Sequence, residues 1–330
     1  MNRNLILTLL VCISATACQA ERTPLPSATF TPTYTADQLI PTPRYGPSST
    51  PTQTQKPFTS TPRATSVTSA VSGTGESLTP GTASTDATAT PNLDTWMAFP
   101  VIPEIDPNVR DIYENGQSLG NDPYAFSIFG DCQSEPDEFL GVFETDALLI
   151  ESLSPELHEA VINFEGSFDR ESPTSQDGTT PGALLWDQWH RGEYGCEFGE
   201  TPVSCELRIH NPSFVIVQIG THYESRNTDY LRDIINQLLD AGVVPILATK
   251  ADNRELDHRV NRDMALLANE FDLPLWNFWA AVSDIPNRGL YVMDGREEQG
   301  AIYLDEDATE RHRMTGLEML NAVWRAATGN

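Results

Sequence analysis

Basic residues are scarce in this sequence. Its 330 residues carry 20 lysines and arginines against 47 aspartates and glutamates, a formal charge of −27 at neutral pH. A field of that sign repels nucleic acid and anionic membrane surfaces, so no nucleic-acid partner is expected. The sequence also lacks a Gly-rich phosphate loop, a dinucleotide fingerprint and a His/Cys cluster at metal-ligand spacing, so neither a cofactor nor a metal is expected. The acidic run Asp305-Glu306-Asp307 reads as a solvated loop rather than a calcium site. Long apolar runs are missing too, since the stretch Leu5 to Ile13 is too short to span a bilayer. From Glu21 to about Pro91, large apolar side chains are few and Ser, Thr, Pro and Ala dominate. Such a segment cannot offset the entropy of ordering, so residues 19–95 are expected to form a disordered, extended stalk.

At the N-terminus a single cation, Arg3, precedes the apolar run, and Ala15-Thr16-Ala17-Cys18 follows it. That is the order of a signal peptide. Small residues ending in a cysteine resemble the lipobox of bacterial lipoproteins, although the usual Leu three residues before the Cys is missing. The resemblance implies a signal segment 1–18 and Cys18 as lipid anchor. It also implies a secreted chain on the outer face of the cell membrane, attached through its N-terminal lipid alone. The plain alternative is an ordinary signal peptide with an incidental cysteine. Of the five cysteines, Cys132, Cys196 and Cys205 then face an oxidising exterior, and one of these three is unpaired. Cys196 and Cys205 flank a short Gly/Pro loop whose closure needs little long-range organisation, so they are the expected disulfide.

Composition changes at Trp96, and residues 96–330 suffice for one sizeable domain with a real core. Apolar runs at Tyr124–Phe129, Phe214–Ile219, Val243–Thr249 and Leu273–Phe278 read as buried parallel strands. Helical patterns cover Pro155–Phe164, Asn227–Leu239, Arg254–Phe271 and Thr309–Ala327. Such alternation predicts an α/β domain, a parallel sheet with helices on both faces, and chemistry at the carboxyl ends of the strands. The Trp- and Gly-rich segment from Trp186 to His210 interrupts the rhythm. It reads as an excursion stapled by Cys196 and Cys205 that shapes a rim over the site.

The first strand runs into Gly130-Asp131-Cys132-Gln133-Ser134 and the second into Gly220-Thr221-His222. With Ser175-Gln176-Asp177-Gly178 between them, these segments resemble, in order, the first three blocks of the SGNH (GDSL-type) hydrolases. The resemblance spans about Tyr124 to Trp324 and implies a three-layer α/β/α sandwich with a flavodoxin-like sheet. It places Cys132 at the position of the nucleophilic Ser, and Gly178 and His222 around the oxyanion hole. A neutral imidazole or an imidazolium can donate the hydrogen bond that an Asn donates in that family. The family ends in Asp-x-x-His before its last helix, and two registers compete for that block. Asp294-Gly295-Arg296-Glu297 matches the Asp-Gly start and puts Glu297 where the His belongs. His312 lies close to the last helix, with Thr309 three residues before it, so Asp307 or Asp305 would have to orient it.

Two functions follow. One is an acyl-ester hydrolase on acylated carbohydrate or lipid esters, with Cys132 as nucleophile and His312 as base, provided something lowers the thiol's pKa. The other is an inactive relative that binds glycan or envelope material, with Trp186, Trp189, Trp276 and Trp279 as candidate stacking surfaces, the last two more naturally core. A buried apolar Cys132, a loop-capping His222, a plain turn at Gly178 and a solvated His312 are the plain readings of the same residues. A monomer is expected.

Overall fold

The computed structural model describes residues 93–189, 192–224 and 226–329. The signal segment, Cys18 and nearly all of the stalk therefore lie outside the described residues. A 3-10 turn at Leu93–Ala98 starts the described chain and buries Trp96.

Four continuous apolar runs make the sheet. Strands β1 (Asp122–Gly130), β2 (Pro212–Gln218), β3 (Val244–Ala248) and β4 (Leu275–Trp276) pair in parallel in the spatial order 1-2-3-4. Along the outer edge of β1, Gly130 forms a parallel bridge to Ser175, and the Thr174 hydroxyl donates to the Ile128 carbonyl at 2.8 Å. With this bridge counted second in chain order, the order becomes 2-1-3-4-5, that of flavodoxin-like sheets.

Side chains alternate across a strand, which assigns them to two cores. Phe126, Ile128, Phe214, Ile216, Val244 and Ile246 face one way, toward helices Asn108–Leu119, Pro155–Asn163 and Glu306–Thr328. Phe129, Val215, Val217 and Leu247 face the other way, toward helices Asn227–Asp240 and Arg259–Glu270. Fully burying each such side chain contributes roughly 1.5–3 kcal/mol. The architecture is a three-layer α/β/α sandwich. Among the described residues no helix is long and apolar enough to cross a membrane.

Two helices depart from the sequence pattern. The pattern starts one of them at Arg254, but the helix begins at Arg259, behind a left-handed His258 (φ 56°). The intervening loop is held by Lys250, which is buried and ion-paired to Asp252 and Glu255 at 2.7 Å each. The pattern makes 186–210 an irregular excursion, yet Pro202–Ile209 is helical, with Thr201 capping the Ser204 N–H. Cys196 and Cys205 form the disulfide, Cα atoms 5.2 Å apart, and Cys132 is free. A two-stranded antiparallel ribbon, β5 (Leu290–Tyr291) with β6 (Tyr303–Leu304), precedes the last helix.

Candidate functional site

The carboxyl ends of β1 and β2 are locked together by Asp131. Its Oδ2 accepts from the N–H groups of Gly220 (3.1 Å) and Thr221 (2.9 Å), and its Oδ1 accepts from Gln133 N–H (3.3 Å). The lock requires sharp turns at both strand ends. A Cβ on Gly130 would lie 2.2 Å from the Ser134 Cβ, and Gly220, at φ 151°, would put one 2.4 Å from Val260. The Gln133 amide donates to the Ile302 carbonyl, which ties this corner to the C-terminal segment.

That clasp brings three chemistry-bearing side chains together. Cys132 Sγ, a carboxylate oxygen of Asp177 and a ring nitrogen of His222 all lie within 4.8 Å of one another. The thiol is 8% exposed. Burial pushes its pKa well above the usual thiol range, and Asp131, Asp177, Glu135 and Asp252 push it the same way. Burial raises the carboxyls of Glu135 and Asp252 in turn. Asp177 is exposed and ion-paired to Arg296 at 2.8 Å, while its N–H donates to Glu135 at 2.9 Å. The adjoining cleft, about 160 Å³, is walled by Cys132, Glu135 and Asp177 on one side and by Met293, Arg296 and Tyr303 on the other.

The His222 ring is oriented by Arg254, whose Nη1 lies 3.2 Å from Nδ1 and 3.4 Å from the Thr221 carbonyl. A guanidinium only donates, so Nδ1 presents its lone pair and the ring proton sits on Nε2. That Nε2 is buried and has no partner among the described residues. His222 is thereby a hydrogen-bond donor, the capacity an oxyanion-hole residue needs. The same tautomer bears on metal binding. A divalent cation requires an imidazole lone pair, and here one ring nitrogen is occupied by Arg254 and the other carries the proton.

His312 lies elsewhere. It is fully buried, its ring stacked on Phe139 at 4.1 Å and on Trp276 at 5.3 Å, with Nε2 2.6 Å from the Gln218 Oε1. Burial, with a contribution from Arg313, lowers its pKa to about 3. The base role implied for His312 therefore meets a neutral core histidine. Its Nδ1 has no partner among the described residues, so no acid orients it. Asp307 is exposed in the first turn of the last helix, lining an outer groove with Asp284 and Arg311, and Asp305 caps that helix through the Ala308 N–H at 3.0 Å.

Gly178 lies in the turn Gln176–Thr179, where the closest neighbour of an added Cβ would be Trp189, 3.8 Å away. The inserted segment thus reaches the rim beside Asp177. Asp294 and Glu297 are exposed, and Glu297 accepts from the Gly295 N–H at 3.1 Å. Their segment reaches the cleft through Met293 and Arg296 instead. Trp276 is wholly inside the core, Trp279 is 8% exposed beneath Arg288, and Trp186 is exposed.

Arg254 and Arg296 carry no signal in the linear sequence. Each acts from a loop whose path is set by tertiary contacts, and their motif neighbours point to other residues. No protein-family model and no curated protein matches the chain, so its chemistry rests on this geometry.

Proposed function

We propose that this chain presents an SGNH-type domain on a lipid-anchored extracellular stalk, and that the domain binds a carbohydrate ligand at the carboxyl edge of its sheet without hydrolysing it. The observation that carries this reading is the contact from Arg254 to Nδ1 of His222. Acyl transfer by a thiol needs a group that takes its proton. The imidazole beside Cys132 is committed as a donor, His312 is sealed in the core, and burial together with the surrounding acids holds the thiol protonated. What remains suits binding. The groups of Gln133, Arg296 and Tyr303 offer polar partners, Met293 and Leu304 offer apolar wall, and Trp189 borders the rim.

A p-nitrophenyl acetate assay on the parent and on Cys132→Ala tests the reading, together with iodoacetamide labelling of Cys132 across pH. Expected are equal, background-level rates and labelling that stays slow through neutral pH. Thiol-dependent turnover, or a labelling step near neutrality, would overturn it.

A second reading is an acyl-ester hydrolase acting on acylated carbohydrate or lipid, with Cys132 as nucleophile. The convergence of thiol, imidazole and carboxylate within 4.8 Å favours it. Asp177, released from Arg296, would then accept the thiol proton while His222 donates to the oxyanion. Loss of turnover in Cys132→Ala is its signature.

A further inference from the structure

Arg254 faces a second and larger cleft, about 560 Å³, well within the range of small-molecule sites. Arg288 lines it as well, with the amides of Asn253, Asn287 and Gln299, and no carboxylate side chain is part of its wall. In a chain with 47 acids against 20 bases, that is a local reversal of sign.

Neither guanidinium has a carboxylate partner among the described residues, although the backbone N–H of Arg254 donates to Asp252 at 3.0 Å. Both are nevertheless fixed. Arg254 uses Nη1 on Thr221 and His222, and Arg288 lies 3.5 Å over the Trp279 ring with Nη1 donating to the Trp279 carbonyl at 2.6 Å. Nε and Nη2 of both guanidinia have no partner among the described residues. Asn287 and Arg288 also sit at φ 51° and 58°, left-handed backbone that non-glycine residues keep only where their surroundings impose it, often at ligand clamps.

A guanidinium fork matches a planar carboxylate, and side-chain amides donate and accept as hydroxyl groups require. The overall negative field penalises a doubly charged ligand more than a singly charged one. We infer that this cleft binds a hydroxylated monocarboxylate, a sugar of the uronic-acid type, through Arg254 and Arg288. The inference rests on the ligand-binding reading above in taking the ligand to be a saccharide. It concerns a different cleft, so ester turnover at Cys132 would sink that reading and leave this one standing.

The test is titration calorimetry on the full chain with D-glucuronate, D-glucose and inorganic phosphate, with thermal melting of every variant. Glucuronate is expected to bind at least about tenfold more tightly than glucose and more tightly than phosphate. Arg254→Met and Arg288→Met should each weaken glucuronate by about tenfold or more, and Arg288→Lys, which keeps the charge and loses the fork, should fall between. Arg232→Met, which removes the same charge from a surface pair with Glu270, should leave the affinity unchanged. Equal affinity for glucuronate and glucose, tighter binding of phosphate, or parent-like binding by both folded Met variants would overturn the assignment. If Arg288→Met does not fold, Arg254→Met and Arg288→Lys decide it.

Discussion

His222 lies within 4.8 Å of Cys132 and Asp177, which line one cleft, and contacts Arg254, which lines another together with Arg288. The first is walled by Glu135, Glu138 and Asp177 with Arg296 as its one cation, and the second by two arginines and no acid. Both are built at the carboxyl edge of one parallel sheet, the first after β1 and the Ser175 bridge and the second after β3 and β4, where backbone geometry is set by the sheet and side chains are free to vary. The difference lies in the loops. Burial keeps the Cys132 thiol from ionising, and the acids around it, fixed by backbone donors or by Arg296, add to that effect. The arginines opposite are anchored through carbonyls, a ring face and an imidazole, which leaves their charge uncompensated. Similar positions on one scaffold thus carry opposite electrostatics, and only the second is suited to an anion.

The contrast can be broken or sharpened experimentally. The largest effect is expected from Asp131→Ala, which removes the acceptor of three backbone N–H groups. It should cost about 4 kcal/mol in denaturant unfolding, and a loss under about 1 kcal/mol would show that the acids of this side do not hold the strand ends.

Next comes His312. Its folded pKa of about 3 lies below the unfolded value of about 6.5, so as pH falls between these values the unfolded chain takes up a proton that the folded chain refuses. Stability should fall by about 1.4 kcal/mol per pH unit in that window. Between pH 6.5 and 4.5, the parent should lose about 2.5 kcal/mol more than His312→Phe in urea titrations. Equal losses would return His312 to a protonatable, exposed setting.

Replacing both Cys196 and Cys205 with Ala opens a short loop, nine residues in separation, and should cost about 2 kcal/mol of stability, read by thermal or urea melting. It should leave the iodoacetamide reactivity of Cys132 as it was, and a change would couple the inserted segment to the thiol. The smallest effect is expected from Asp177→Asn, which removes an acid and frees the Arg296 cation beside the thiol. Labelling of Cys132 should then speed up by about tenfold at neutral pH, and an unchanged rate would remove Asp177 from the thiol's electrostatics.

Much of the fold is legible in the linear pattern because strands covered on both faces must be apolar throughout, as at Phe214–Val217 and Val244–Leu247. Helix limits are less so. The start at Arg259 depends on the buried Lys250 cluster, and helix Asn108–Leu119, absent from the sequence reading, follows a Pro-rich lead-in that masks its periodicity. At the site, block order brings Cys132 and His222 together through Asp131. What the order of residues does not carry is the state of each imidazole. That of His222 depends on a guanidinium 32 residues away in sequence, and that of His312 on three aromatic rings drawn from two separate segments.

The margins of the sheet have a consequence for how copies of this chain meet. On one side the final strand is two residues long, and on the other the pairing beyond β1 is a bridge at Ser175. On the β4 side there is hardly any backbone for a neighbouring molecule to zip onto, and on the β1 side Ser167, Thr174 and His210 already occupy the groups of Phe126, Ile128 and Gly130. Edge-to-edge pairing between copies thus finds one border that is very short and one that is already spoken for.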